Sequence, residues 1–228
     1  MNHTEIIFVI DKSGSMSNLV GDTIGGFNGF IESQKSLDGK ATLTTVLFDT
    51  TWKTLHNGVD IREVKPMTSS DYSAYGCTAM LDAIGETINK VQDRHDELGN
   101  EKPDSVLFVI TTDGEENSSK KFKKSDIEKM IKHQTNGHGW KFMFLGANMD
   151  AVKEAQNIGI NANYAVNYDY SAQGTSAVYA TMDCVASAVR GCTFDDSTSL
   201  SSAYADCLNS VDAVKANASY DDNITILG

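Results

Sequence analysis

A chain of 228 residues that is 40% hydrophobic, with only two prolines, can bury a sizeable core in one large domain and is too apolar for wholesale disorder. Its 31 acidic residues against 19 basic ones give a net charge of −12 and argue against general nucleic-acid binding, which needs Lys and Arg to neutralise phosphates. No stretch approaches the ~20 apolar residues of a membrane span, and the four cysteines, Cys77, Cys184, Cys192 and Cys207, show neither CxxC nor regular spacing. These features predict a soluble, cytoplasmic protein with free thiols, partnered by neither membrane nor nucleic acid.

The chain opens on "EIIFVID", a buried strand; its apolar part, "IIFVI", is too short for the core of a secretory signal. "VGDTIGGFNGFIESQKS" follows with Val20, Ile24, Phe27, Phe30 and Ile31 at helical spacing. "ATLTTVLFD" and "WKTLHNGVDIREV" read as a hairpin with "HNG" as its turn signal. After the loop "PMTSSDYSAYGCT", a second helix carries Met80, Leu81, Ile84, Ile88 and Val91 as one stripe. "PDSVLFVITTDGEEN" is apolar on both faces up to Asp113, as a central strand covered on both sides should be.

A third helix, "KSDIEKMIKHQTN", has Ser125 or Asp126 as its N-cap. Then come the strand "WKFMFLGAN", a helix stopped by Gly159, the short strand "ANYAVNY" and a closing helix over 171–190. The alternation predicts an α/β fold: a doubly wound, mostly parallel sheet flanked by helices on both faces, with one antiparallel edge strand. Residues 1–190 form the domain. Residues 191–228, rich in Ser, Asp, Ala and Asn, form a polar extension with a short helix near 201–215.

Ligands of open α/β sheets bind beyond the carboxyl ends of the strands, and three segments send polar groups there. "DKSGSMS" after the first strand brings Asp11, Ser13 and Ser15; "GCTAM" brings Thr78; "TTDGEEN" brings Asp113. By itself the heptapeptide is compatible with an Asx or Ser turn. With the other two segments it supplies three hydroxyls and two carboxylates, and such hard oxygen donors suit Mg²⁺, with Mn²⁺ or Ca²⁺ as alternatives, better than Zn²⁺.

These residues carry a resemblance. "DKSGSMS" resembles the D-x-S-x-S motif of von Willebrand factor A domains, "GCTAM" the place of that family's metal-ligating threonine, and "TTDGEEN" the place of its second aspartate. The similarity runs over roughly residues 4–160. Further on, "WKFMFLGANMDAVKEAQNIGI" and "NYDYSAQGT" resemble small stand-alone bacterial and phage proteins built on this domain.

The resemblance implies a metal-ion-dependent adhesion site with Asp11, Ser13, Ser15, Thr78 and Asp113 as its metal residues. Ser13, Ser15 and Thr78 would use their hydroxyls on the metal. Asp11 and Asp113 would act largely through water or by bonding those hydroxyls, and Gly14 and Gly114 would let the backbone turn around the ion. It further implies a non-catalytic module whose divalent cation is completed by an Asp or Glu of a partner protein. Some relatives of this type work beside an ATPase in assembly or stress responses, and nothing in this chain encodes one.

The rival from another class is a Mg²⁺-dependent phosphohydrolase of haloacid-dehalogenase type, which also places a nucleophilic aspartate at the end of strand one. Such enzymes need a second acid two residues on, and here that position is Ser13. Lesser features read as structural. "SKKFKK" is a solvated helix entry, the glycines of "GDTIGGFNGF" do not fit GxGxxG and allow close packing of the first helix on the sheet, and His133 and His138 mark a helix end. Cys77 is a passive loop cysteine beside Thr78. Tyr72 and Tyr75 either contact a partner or pack on their own loop.

Overall fold

In the computed structural model the described residues are 3–191, 206–207 and 214–216. Five strands run parallel at the centre: β1 (His3–Asp11), β2 (Lys40–Phe48), β4 (Ser105–Thr112), β5 (Lys141–Ala147) and β6 (Ala165–Tyr168). The edges are β3 (Trp52–Asp60), antiparallel to β2, and β7 (Val214–Ala216), antiparallel to β6, in the order β3-β2-β1-β4-β5-β6-β7. The predicted doubly wound sheet is therefore present, and β7 adds a short second antiparallel edge. The helix expected near 201–215 lies mostly outside the described residues, with 214–216 in strand.

Alternate side chains of the central strands feed two cores, as the period of two requires. Ile6, Phe8, Ile10, Leu107, Val109, Met143 and Leu145 face the helices α1 (Val20–Lys35) and α5 (Ala172–Gly191). Ile7, Val9, Phe108, Ile110, Phe142 and Phe144 face α2 (Met80–Leu98), α3 (Lys124–His138) and α4 (Ala151–Asn157). The stripe read in the sequence on α2 is buried in this second core.

Two local expectations are corrected. The hairpin turns at Asp49–Thr51, where the Thr51 N–H donates to Asp49 Oδ1 at 2.7 Å, an Asx turn. "HNG" lies within β3, where the pairing with β2 shifts register and Gly58 has φ +64°; the glycine serves a bulge, not the turn. The N-cap of α3 is Lys123, and the Asp126 carboxylate reaches back to accept its N–H at 3.0 Å.

The glycine-rich start of α1 packs against α5, not against the sheet. A Cβ on Gly26 would lie 2.3 Å from the Tyr179 ring, whereas one on Gly25 would meet nothing within 4 Å. Gly26→Ala is therefore expected to cost about 1–3 kcal/mol through overpacking. Gly25→Ala is expected to add up to about 1 kcal/mol through helix propensity. Urea unfolding of the two variants checks the opposite signs.

Cys184 on α5 and Cys207 form a disulfide, so the expectation of free thiols is wrong for this pair; Cys77 is free and exposed. The cytoplasmic reading loses the part of its support that came from free thiols. Among the described residues no helix is long and apolar enough to cross a membrane.

Candidate metal centre

The parallel pairing of β1 with β4 sets Ile10 beside Thr111, so the next residues along, Asp11 and Thr112, meet at the carboxyl edge of the sheet. Asp11 is fully buried. Its Oδ1 accepts the Ser13 N–H and its Oδ2 accepts the Thr112 hydroxyl, both at 2.6 Å. Ser15 Oγ donates to Asp113 Oδ1 at 2.6 Å and lies 3.1 Å from Ser13 Oγ.

Thr78 comes from the loop before α2 and is buried. A Cβ on Gly114 would stand 3.4 Å from Thr78 Oγ1 and 3.6 Å from Ser15 Oγ, so the two hydroxyls converge on one point above Gly114. A Cβ on Gly14 would come within 3.4 Å of the Gly76 carbonyl oxygen. Neither Gly14 nor Gly114 has a positive φ. The tight turn expected of them from the sequence therefore does not depend on a backbone conformation reserved for glycine. All five side chains singled out in the sequence thus lie at one edge.

Electrostatics favour a cation here. Burial pushes the Asp11 carboxyl up to about 6 against the bonds from Thr112 and Ser13, and the neighbouring Asp113 charge adds to the rise. Burial also raises Asp113, against the Ser15 hydroxyl bond. Two carboxylates that resist ionisation side by side, with three hydroxyls converging beside them, form a donor set that fits a hard divalent ion. Among the described residues no three His, Cys, Asp or Glu side chains gather as a metal cage, so a cation at this edge depends on the hydroxyls.

Other residues hold the cup and were not assigned from sequence. Tyr72, fully buried, donates its hydroxyl to the Asp11 carbonyl oxygen, and Tyr170 donates to that of Ser15. The Gly14 N–H donates to the Gly76 carbonyl at 3.0 Å, the Tyr75 N–H to that of Lys12 at 2.9 Å, and Lys12 pairs with Asp49. The two tyrosines of the loop divide: Tyr72 packs inward, while Tyr75 is 80% exposed beside the site. His133 and His138 meet edge to face at the end of α3, which Gly139 terminates with φ +68°.

No family model and no curated protein matches the chain. Solved structures do. Proximal thread matrix protein 1 from the mussel byssus, in a structure with a zinc-occupied MIDAS motif, is 19% identical, with a TM-score of 0.56 over 82% of this chain and 46% of that one. Manganese-loaded TRAP protein of Plasmodium vivax is 20% identical, with a TM-score of 0.55 over 78% and 72%. A von Willebrand factor type A protein from Catenulispora acidiphila is 14% identical, with a TM-score of 0.54 over 82% and 43%. The chain spans less than half the length of the mussel and Catenulispora chains. The likeness is one of fold, and the fold is that of von Willebrand factor A domains.

Proposed function

We propose that this chain is a non-catalytic, metal-dependent protein-binding module, with Asp11, Ser13, Ser15, Thr78 and Asp113 forming its metal-ion-dependent adhesion site. The observation that carries the reading is the convergence of the Ser15 and Thr78 hydroxyls over Gly114, with Ser13 beside them and the carboxylates of Asp11 and Asp113 behind. The mussel and Plasmodium proteins of the same fold, described with zinc in the MIDAS motif and with manganese, support it.

Ser13, Ser15 and Thr78 would hold the ion by neutral oxygens. Asp11 orients the Ser13 backbone, and Asp113 orients the Ser15 hydroxyl. A divalent cation held mainly by neutral groups supplies a positive centre whose remaining position suits an Asp or Glu carboxylate of a partner protein. Mg²⁺ is the proposed occupant on the grounds of hard donors, with Mn²⁺, Ca²⁺ and Zn²⁺ as the comparison ions in a titration. Support of an ATPase-linked assembly in a bacterium or a phage-infected cell is the proposed setting.

Affinity capture with the full chain tests the mechanism. A partner retained in Mg²⁺ is expected to be released by EDTA and absent with Thr78→Ala. A partner held equally in all three conditions would sink the metal bridge, and an ATPase among the Mg²⁺-dependent partners would support the proposed setting.

A further inference from the structure

The "TTDGEEN" segment does more than present Asp113. Thr78 lies between Gly76, with φ +80°, and the first turn of α2, in a loop that by itself has no reason to hold one hydroxyl direction. Both of its peptide groups are taken up by the loop that follows Asp113. The Thr78 N–H donates to Asn117 Oδ1 at 2.9 Å, and the Thr78 carbonyl accepts the N–H groups of Asn117 at 3.1 Å and Ser118 at 3.3 Å.

The surrounding frame is densely hydrogen-bonded. The Glu116 carboxylate accepts the Leu81 N–H at 2.9 Å, a donor that the first turn of α2 leaves without a partner inside the helix. It also accepts the N–H groups of Ser118 and Ser119 at 2.9 and 2.7 Å and the Ser119 hydroxyl at 2.8 Å. From the other side, the Asp82 carboxylate of α2 accepts the N–H groups of Lys120, Lys121 and Phe122 at 2.8, 2.9 and 2.9 Å. Loop and helix start are therefore tied together by hydrogen bonds from both sides, and Asn117 is the side chain that ties Thr78 into this frame.

We infer that Asn117 is a positioning residue for the metal site: its side-chain oxygen fixes the Thr78 peptide, and with it the place of the Thr78 hydroxyl relative to Ser15 and Asp113. This rests on the metal-site reading proposed above. Asn117 is itself exposed, so its side chain contributes to the orientation of Thr78 far more than to the core. Removing partners that orient metal ligands typically weakens metal binding by about 10–100-fold.

The test is calorimetric titration of the full chain with Mg²⁺ and with Mn²⁺, alongside thermal unfolding in EDTA, for wild type, Asn117→Ala and Asn117→Asp. Asn117→Ala is expected to weaken binding by about 10–100-fold while lowering the unfolding temperature in EDTA only by the small amount that one lost hydrogen bond accounts for. Asn117→Asp, which keeps the acceptor oxygen, is expected to restore wild-type affinity or better it. Wild-type affinity in Asn117→Ala overturns the inference. So does a loss of affinity matched by a loss of metal-free stability and not rescued by Asn117→Asp, since that pattern marks a merely structural residue. A wild-type chain that binds neither ion removes the metal-site reading itself, and this inference with it.

Discussion

In EDTA at pH 7, Asp11→Asn unfolds at a higher temperature than wild type. Asp11 is fully buried, and its carboxyl is pushed up to about 6 from an ordinary 3.8. The folded protein therefore holds a proton on Asp11 up to about pH 6, whereas the unfolded chain releases it near 3.8. Where the folded state binds more protons, stability falls as pH rises, so the deficit builds through this window and is complete above it. A gap of that size corresponds to roughly 3 kcal/mol, or about 6–12 °C in unfolding midpoint for a chain of this length.

Asparagine removes the charge and keeps the bonds. Its oxygen still accepts the Ser13 N–H. The Thr112 hydroxyl can turn to the Gly114 carbonyl, already 3.0 Å away, and accept from the new amide. Thermal melts at pH 7 and pH 5 check the result: wild type gains stability on acidification through this site, and Asp11→Asn does not. Mg²⁺ is expected to reverse the comparison. It should raise the wild-type midpoint by linkage, about 2.7 kcal/mol at 100 times the dissociation constant, and leave the variant unmoved. A metal-free variant less stable than wild type would show that the buried carboxylate is not the strained group described.

Reduction of the Cys184–Cys207 disulfide is expected to cost about 3 kcal/mol. The two residues are 23 apart in sequence, and the bond links α5 to a segment whose continuation pairs with β6 as β7. Cross-linking limits the unfolded chain by closing a loop of that length, and Cys207 is buried against the α5 core as well. Urea unfolding of wild type with and without dithiothreitol, and of Cys184→Ser, measures it. The reduced protein and the variant should coincide, both below the oxidised form. A thiol titration returning all four cysteines without reductant would show that the bond does not form.

The sequence carried the fold well because its signals were local. Continuous apolar runs at 6–10 and 106–110 marked strands buried on both faces, and the stripe from Met80 to Val91 marked a helix with one buried side. Where a signal had two physical uses, the reading could go wrong. "HNG" suits a turn and suits a bulge equally, because both exploit the positive φ of Gly58, and only pairing with β2 distinguishes them. The glycines of α1 announced close packing without saying against what; Tyr179, more than 150 residues along the chain, supplies the answer at Gly26 alone.

By itself, the sequence determined which chemistry could assemble at the strand ends: a carboxylate and two hydroxyls after β1, a hydroxyl before α2 and a carboxylate after β4, on elements whose alternation dictates a parallel sheet. Tertiary structure alone decided how those groups are held. Thr112 beside Asp11, Tyr72 and Tyr170 on the backbone of the first loop, Asn117 on Thr78 and Cys184 with Cys207 are all contacts between distant segments. The physical reason is that helix and strand periodicity is written in neighbouring residues, whereas a hydrogen bond or disulfide across the fold depends on distances that exist only once the sheet has brought its strands together.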